Sequence, residues 1–148
     1  MIIRQMTEMD IDRVYDVTCS SLDETFVPAV FNLFISQWSQ GQLVAVDNTG
    51  RIMGYISGTL LSNEKATITL FAVDHKYRRT GIGTKLLESF IKKAVICGRR
   101  QIHLDVRPGS DAITLYEKMG FKKTGYMTGF YNDGGDAVHM VRFSMMNS

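Results

Sequence analysis

The stretch from residue 66 to residue 98 restricts the fold more than any other part of the chain. Ala66 to Val73 reads as an apolar strand, and Tyr77-Arg78-Arg79-Thr80-Gly81-Ile82-Gly83 follows as a basic, glycine-containing loop. From Ile82 the residues Leu86, Leu87, Phe90, Ile91, Ala94 and Val95 recur on one helical face, Lys85, Glu88, Lys92 and Lys93 fall on the other, and Gly98 ends the run. A helix with a single apolar stripe must bury it against another element, and a strand directly before it points to an α/β architecture.

The flanking sequence fills in that architecture. Residues 1 to 5 read as a strand, and Thr7 with Asp10 forms an acidic version of the capping box that opens a helix from about Glu8 to Ser20. Pro28 suits the start of a second helix through Val30, Phe31, Phe34, Ile35 and Trp38, with Gly41 as its stop. Leu43 to Val46 and Arg51 to Leu61 flank Asn48-Thr49-Gly50 as a hairpin. Gln101 to Val106 alternates as a strand, Asp111 to Met119 is a short helix stopped by Gly120, and two last strands flank Asn132-Asp133-Gly134-Gly135. The predicted order is β-α-α-β-β-β-α-β-α-β-β.

At 148 residues the chain has the length of one domain, 1–148. Seventeen Lys and Arg against fifteen Asp and Glu leave 17 − 15 = +2, too balanced for non-specific polyanion binding, so nucleic acid is not an expected partner while a small anionic ligand is compatible. No apolar run reaches the roughly 18 residues of a membrane span, and Met1-Ile2-Ile3-Arg4 does not resemble a signal peptide, so a cytoplasmic location is expected. Cys19 and Cys97 lie far apart and read as small buried apolar residues, while His75 and His139 read as a loop and a strand residue. No metal site is expected.

A strand, a glycine loop and a helix in succession aim free amide N–H groups and the positive end of a helix dipole at one point. Gly81 and Gly83 remove Cβ atoms where a phosphate would come close, and Arg78, Arg79 and Lys85 surround it with positive charge, which suits a diphosphate. A tight strand-to-helix connection alone would also place glycines here. The Walker A and dinucleotide-binding patterns fit poorly: Gly83-Thr84-Lys85 stands for the first's Gly-Lys-Ser/Thr, and Leu86 for the second's third glycine.

The segment V-D-H-K-Y-R-R-T-G-I-G-T-K-L-L (73 to 87) resembles the acetyl-CoA-binding motif Arg/Gln-x-x-Gly-x-Gly/Ala of the GNAT acyltransferases, with Arg78, Gly81 and Gly83 at its defining positions. L-D-V-R-P-G-S-D-A-I-T-L-Y-E-K-M-G-F (104 to 121) and G-F-Y-N-D-G-G-D-A-V-H-M (129 to 140) are similar to blocks of the RimI-like and archaeal N-terminal acetyltransferase branch. The resemblance spans nearly the whole chain and implies a mixed seven-stranded sheet with four helices. It implies acetyl-CoA as cosubstrate, with its diphosphate on Arg78, Arg79, Thr80, Gly81, Ile82, Gly83 and Thr84 and its thioester beside the backbone of Phe71, Ala72 and Val73.

The same resemblance implies roles for individual side chains. Asp105 matches the family's general base, and strand alternation sets it on the face opposite Ile102, Leu104 and Val106; His103 shares its parity and is the alternative base. Tyr116 corresponds to the tyrosine that returns a proton to the departing thiolate. Leu22-Asp23-Glu24-Thr25-Phe26 resembles the loop at the peptide entrance, making Glu24 and Phe26 candidate substrate contacts together with Tyr131.

Three departures stand out. Pro108-Gly109-Ser110 replaces a CoA-contacting Asn, and Ser110 either substitutes for it or only caps the following helix; Phe130-Tyr131 replaces paired tyrosines; Gly135 replaces a Glu. The implied acceptor is the α-amino group of a protein or peptide N-terminus. Small-molecule or lysine side-chain acetylation, or a catalytically weak acyl-CoA-binding module, are the alternatives, and ribosome association or a homodimer is compatible with the branch.

Overall fold

The computed structural model describes residues 1–21 and 27–144. Seven strands and four helices follow the predicted order: β1 (Ile2–Gln5), α1 (Ile11–Ser21), α2 (Ala29–Gln37), β2 (Gln42–Val46), β3 (Ile52–Leu60), β4 (Lys65–Val73), α3 (Ile82–Ile96), β5 (Gln101–Val106), α4 (Ala112–Lys118), β6 (Lys122–Met127) and β7 (Ala137–Phe143). The strands form one mixed sheet in the order β1-β2-β3-β4-β5-β7-β6, antiparallel throughout except for β4 against β5.

Alternation along the strands feeds two cores. Leu43, Ala45 and Ile56 point to α3 and pack with Leu86, Leu87 and Phe90, while Val44, Val46 and Tyr55 point to α1 and α2 and pack with Val14, Val17 and Phe31. Every residue of β2 is therefore buried, as befits a strand covered on both faces. On β5 the pattern changes: Ile102, Leu104 and Val106 are buried, whereas Gln101, His103 and Asp105 are only half-buried. The helical layer on that second face stops short of β5, and the site described below lies there.

At the first helix Asp10 behaves as the capping pattern requires. Its carboxylate accepts the Thr7 N–H at 2.8 Å and is gripped by both terminal nitrogens of Arg4 at 2.8 and 2.9 Å. Burial pushes this carboxyl up, but the Arg4 and Thr7 hydrogen bonds together hold it below the usual carboxylate range. The first turn is 3-10, Glu8–Asp10, before α1 proper begins.

Two expectations need correction. Gly41 is not the stop of α2, which ends at Gln37 with Trp38 in a non-helical conformation; Gly41 closes the 3-10 turn that follows, and a Cβ there would overlap the Trp38 indole. Nor are the cysteines both buried: Cys19 is exposed on α1, one position past the inward-facing Val17 and Thr18, and Cys97 is partly exposed where α3 ends.

Gly58 carries a direct test of the packing. A Cβ there would lie 2.5 Å from both the Phe90 ring and the Thr67 carbonyl oxygen. Gly58→Ala is expected to destabilise the fold by about 1–3 kcal/mol through overpacking, read as a lower urea midpoint at unchanged slope. An unchanged midpoint would mean that Phe90 swings aside freely.

Candidate active site

The parallel ladder between β4 and β5 is short. Only Lys65, Ala66 and Thr67 pair with Gln101, Ile102 and His103, and the Thr67 hydroxyl donates to the His103 carbonyl at 3.0 Å where the pairing ends. Beyond that point the strands diverge, leaving the edges of Ile68–Val73 and Leu104–Val106 without each other as partners. On its other side β4 carries a bulge against Ser57 and Gly58, a device that bends a strand and sharpens its twist.

The divergence opens a cavity of about 880 Å³. Phe71 from β4, Asp105 from β5, Ser110 and Tyr116 from the α4 region, and Tyr131 from the β6–β7 connection all line it. Tyr116 is 6% exposed, and its ring lies 6.2 Å from that of Phe71 and 5.6 Å from that of Phe121, centroid to centroid. Burial pushes its phenol well above the ordinary tyrosine value, so it stays protonated across the working pH range. The cavity thus has a carboxylate on one wall and a protonated phenol on another.

The glycine loop adjoins this cavity through Phe71. A Cβ at Gly83 would stand 3.6 Å from the Phe71 ring and 3.7 Å from Leu115. Gly81 caps α3 with φ +84°, a left-handed conformation that suits glycine, and no atom would lie within 4 Å of a Cβ built there. Arg79 also has positive φ, at 64°. The helical ladder opens with the Lys85 N–H donating to the Gly81 carbonyl, 3.1 Å, so the N–H groups of Ile82, Gly83 and Thr84 point out of the helix end. No acidic residue sits in that turn.

The other loop residues divide by what their side chains do. Ile82 is buried, so only its backbone faces the loop; the Thr80 hydroxyl donates to the Tyr77 carbonyl, and Arg78 Nε donates to the Val73 carbonyl at 3.2 Å, holding the loop against the end of β4. Ala72 is buried on the α1/α2 side of the sheet. Ser110 Oγ accepts the Ala112 N–H at 3.2 Å, so it caps α4 while its hydroxyl proton remains to be donated toward the cavity. Glu24 and Phe26 lie outside the described residues.

Around Tyr131 a compact set replaces the departures seen in the sequence. The Arg107 guanidinium lies 4.1 Å above the Tyr131 ring and pairs with Asp133 at 3.1 Å. A Cβ at Gly135 would collide with that guanidinium, so the missing side chain at 135 is what gives Arg107 its place.

His139 is the residue that sequence reasoning passed over. It stands directly opposite Asp105 across β5 and β7, and its Nδ1 lies 2.7 Å from Asp105 Oδ1. Its Nε2 lies 2.9 Å from His103 Nδ1, and His103 Nε2 lies 2.9 Å from Gln101 Oε1. Shared strand parity was the only available signal. Among the described residues no group of three His, Cys, Asp or Glu is placed to hold a metal ion, and no helix is long and apolar enough to cross a membrane.

Comparison with known proteins agrees with this geometry. Residues 11–142 match the model of the acetyltransferase (GNAT) domain. The chain is 34% identical over 147 residues to the N-alpha-acetyltransferase of Saccharolobus solfataricus, covering 90% of this chain and 87% of that one. Its fold superposes on Ard1 from Thermoplasma volcanium with a TM-score of 0.93 at 31% identity, covering 97% of each chain. It superposes on a chain of the NatC complex bound to Gag peptide and CoA with a TM-score of 0.91 at 26% identity, covering 97% of this chain and 98% of that chain. The splayed β4 and β5, the glycine turn at the head of α3 and the matched span together define an acyl-transfer scaffold. The chain belongs to the GNAT acetyltransferase domain family.

Proposed function

We propose that residues 1–148 act as one cytoplasmic acetyltransferase domain that moves an acetyl group from acetyl-CoA to the α-amino group of protein or peptide N-termini by direct attack. The notch between β4 and β5 carries this reading. It lets a thioester and an amine meet inside the sheet, with Asp105 and Tyr116 on different walls. The naming of the Saccharolobus solfataricus relative as an N-alpha-acetyltransferase, and the peptide and CoA in the NatC structure, support the choice of acceptor and cosubstrate.

The residues present suit acetyl-CoA. The free N–H groups of Ile82, Gly83 and Thr84 would hold the diphosphate with Arg78 and Arg79 beside it, and no Cβ at Gly81 obstructs it. Backbone N–H groups along Phe71, Ala72 and Val73 would polarise the thioester carbonyl, where negative charge develops as nitrogen attacks. The new N–C bond forms as the C–S bond breaks. Nitrogen loses two protons overall: one through Asp105, which makes the amine nucleophilic, and one that replaces the proton Tyr116 gives to the thiolate.

A mass-spectrometric screen of N-terminal peptides with acetyl-CoA tests the reading. One acetyl on the α-amine is expected. Acetylation confined to lysine side chains or polyamines would replace the acceptor, and CoA binding with no turnover on any amine would reduce the chain to a binding module. Tyr116→Phe keeps the ring packing but removes the phenolic proton, so kcat is expected to fall about 100-fold or more with CoA affinity unchanged. A full-rate variant in single-turnover measurements would take Tyr116 out of the chemistry.

A further inference from the structure

The half-buried face of β5 and β7 carries a row of four polar side chains in continuous contact: Asp105, His139, His103 and Gln101. The two imidazole rings are 5.1 Å apart, and the His139 and Asp105 side chains are 30% and 27% exposed. At one end Asp105 lines the cavity; at the other Gln101 closes the row. β6 presents Gly125 opposite His139, with the Thr124 hydroxyl on the His139 carbonyl, and β4 contributes the Lys65 ammonium near His103. Asp105 Oδ2 accepts no hydrogen bond among the described residues, so one carboxylate oxygen is left for the cavity.

Donors and acceptors along this row can be counted. Each neutral imidazole offers one N–H and one lone pair, and a glutamine amide can present either its oxygen or its NH₂. With the Gln101 oxygen toward His103, His103 Nε2 donates to it, His103 Nδ1 must accept, and His139 Nε2 donates to His103. The His139 Nδ1 contact with Asp105 then needs one further proton to avoid a lone pair facing a carboxylate. With the Gln101 amide turned, NH₂ donates to His103 Nε2, His103 Nδ1–H donates to His139, and His139 Nδ1–H donates to an ionised Asp105. Both arrangements give every contact one donor and one acceptor. They differ by one proton, held at Asp105 and His139.

We propose that Asp105 and His139 form a single proton-accepting pair for the amine, in which His139 is a positioning residue acting through Asp105, and His103 with Gln101 sets which arrangement the pair adopts. The inference rests on the transfer reaction proposed above. One N–H bond of the substrate ammonium breaks, its proton is held on the Asp105–His139 pair, and it passes to solvent after the acetylated product leaves. The second nitrogen proton is the one accounted for by the CoA thiol.

The pairing answers a mismatch of basicity. A lone aspartate, ordinarily near 3.9, is a weak acceptor for an α-ammonium near 7.7–8.0, whereas an imidazole, ordinarily near 6.5, brings the acceptor toward neutral pH. His103 is held below the usual imidazole value, by burial first and then by the neighbouring His139 and Lys65, against the opposing pull of Asp105. It therefore stays neutral, and the extra proton remains at the Asp105 end.

Two measurements on the full chain test the pair. In ¹⁵N-histidine NMR of the unmodified protein and of Asp105→Asn, loss of the anionic partner should move the His139 Nδ1 signal, and the His103 ring signals should move with it through the His139–His103 contact. His139 ring signals unmoved by Asp105→Asn, or His103 signals that do not follow them, would overturn the pair. In kinetics, His139→Ala and the shape-conserving His139→Gln should each lower kcat about 10- to 100-fold near neutral pH, with the KM for acetyl-CoA unchanged. That loss should shrink above about pH 9, where the amine arrives uncharged.

The Asp105→Asn/His139→Ala double variant should be no slower than Asp105→Asn alone, as for groups acting as a unit. Wild-type kcat in His139→Gln, or losses that multiply in the double variant, would overturn the proposal. Absence of acetyl transfer by the unmodified protein to any amine would instead remove the reaction reading, and the NMR result would still decide whether the pair exists.

Discussion

Replacing Gly81 with aspartate is expected to weaken CoA binding by about 100-fold or more, the scale of losing the charge-assisted contacts at a helix N-terminus. Gly81 caps a 15-residue helix whose first turn carries no acidic residue. An Asp side chain there would accept from the free N–H groups itself, becoming an internal competitor for the diphosphate. Its negative charge would also repel the ligand across the short distance over which the helix dipole acts. The left-handed φ of +84° adds strain for any side chain, about 1–2 kcal/mol, so a control is needed. Gly81→Ala carries that strain without the charge or the oxygen, and it should lose stability while keeping CoA affinity within a few-fold. Calorimetry showing native affinity in a folded Gly81→Asp variant would remove the loop from the cofactor site.

That loop was legible in the sequence because its signals are local. The apolar stripe of α3 and the glycines before it occupy consecutive positions, and each has a meaning within one or two turns of chain. The strand order was accessible for the same reason: the hairpin at Asn48-Thr49-Gly50 and the alternation of β5 are short-range patterns. Gly41 misled because a glycine after a helical run has two physical readings, a left-handed cap or the absence of a side chain, and only the Trp38 indole above it decides between them.

The parts of the site that stayed hidden depend on contacts between distant segments. Asp105 meets His139 because β5 and β7 pair in one register, set by Leu104 opposite Met140 in the core and not by any turn that joins the two strands. A shift of one residue would turn His139 to the other face. Gly135 and Arg107 form another such case. Read singly, Gly135 is a missing acidic side chain; in the fold it is the space for a guanidinium that stacks on Tyr131 and pairs with Asp133. The wall that Tyr131 gives the cavity is thus fixed by Arg107, just past the end of β5 and 24 positions away in the sequence.

Asp105→Asn is expected to lower kcat about 100-fold or more with acetyl-CoA and peptide both saturating, the usual scale for a general base. Asparagine keeps the size of the side chain and an oxygen for the His139 Nδ1–H, so the β5–β7 pairing should survive. A carboxamide cannot take up a proton at neutral pH. The rate of the unmodified protein should fall as pH drops through 7.7–8.0, because protonation of the α-amine removes the nucleophile whichever group accepts the proton. That limb therefore cannot identify the base, and the size of the variant's deficit must. Geometry favours Asp105 over His103: Asp105 lines the cavity with one oxygen that accepts from none of the described residues, whereas both His103 nitrogens are occupied, by Gln101 and His139. His103→Ala should accordingly cost less than Asp105→Asn, since it disturbs the row without removing the group that meets the amine. Near-normal turnover in Asp105→Asn together with a large loss in His103→Ala would make His103 the base and reverse that assignment.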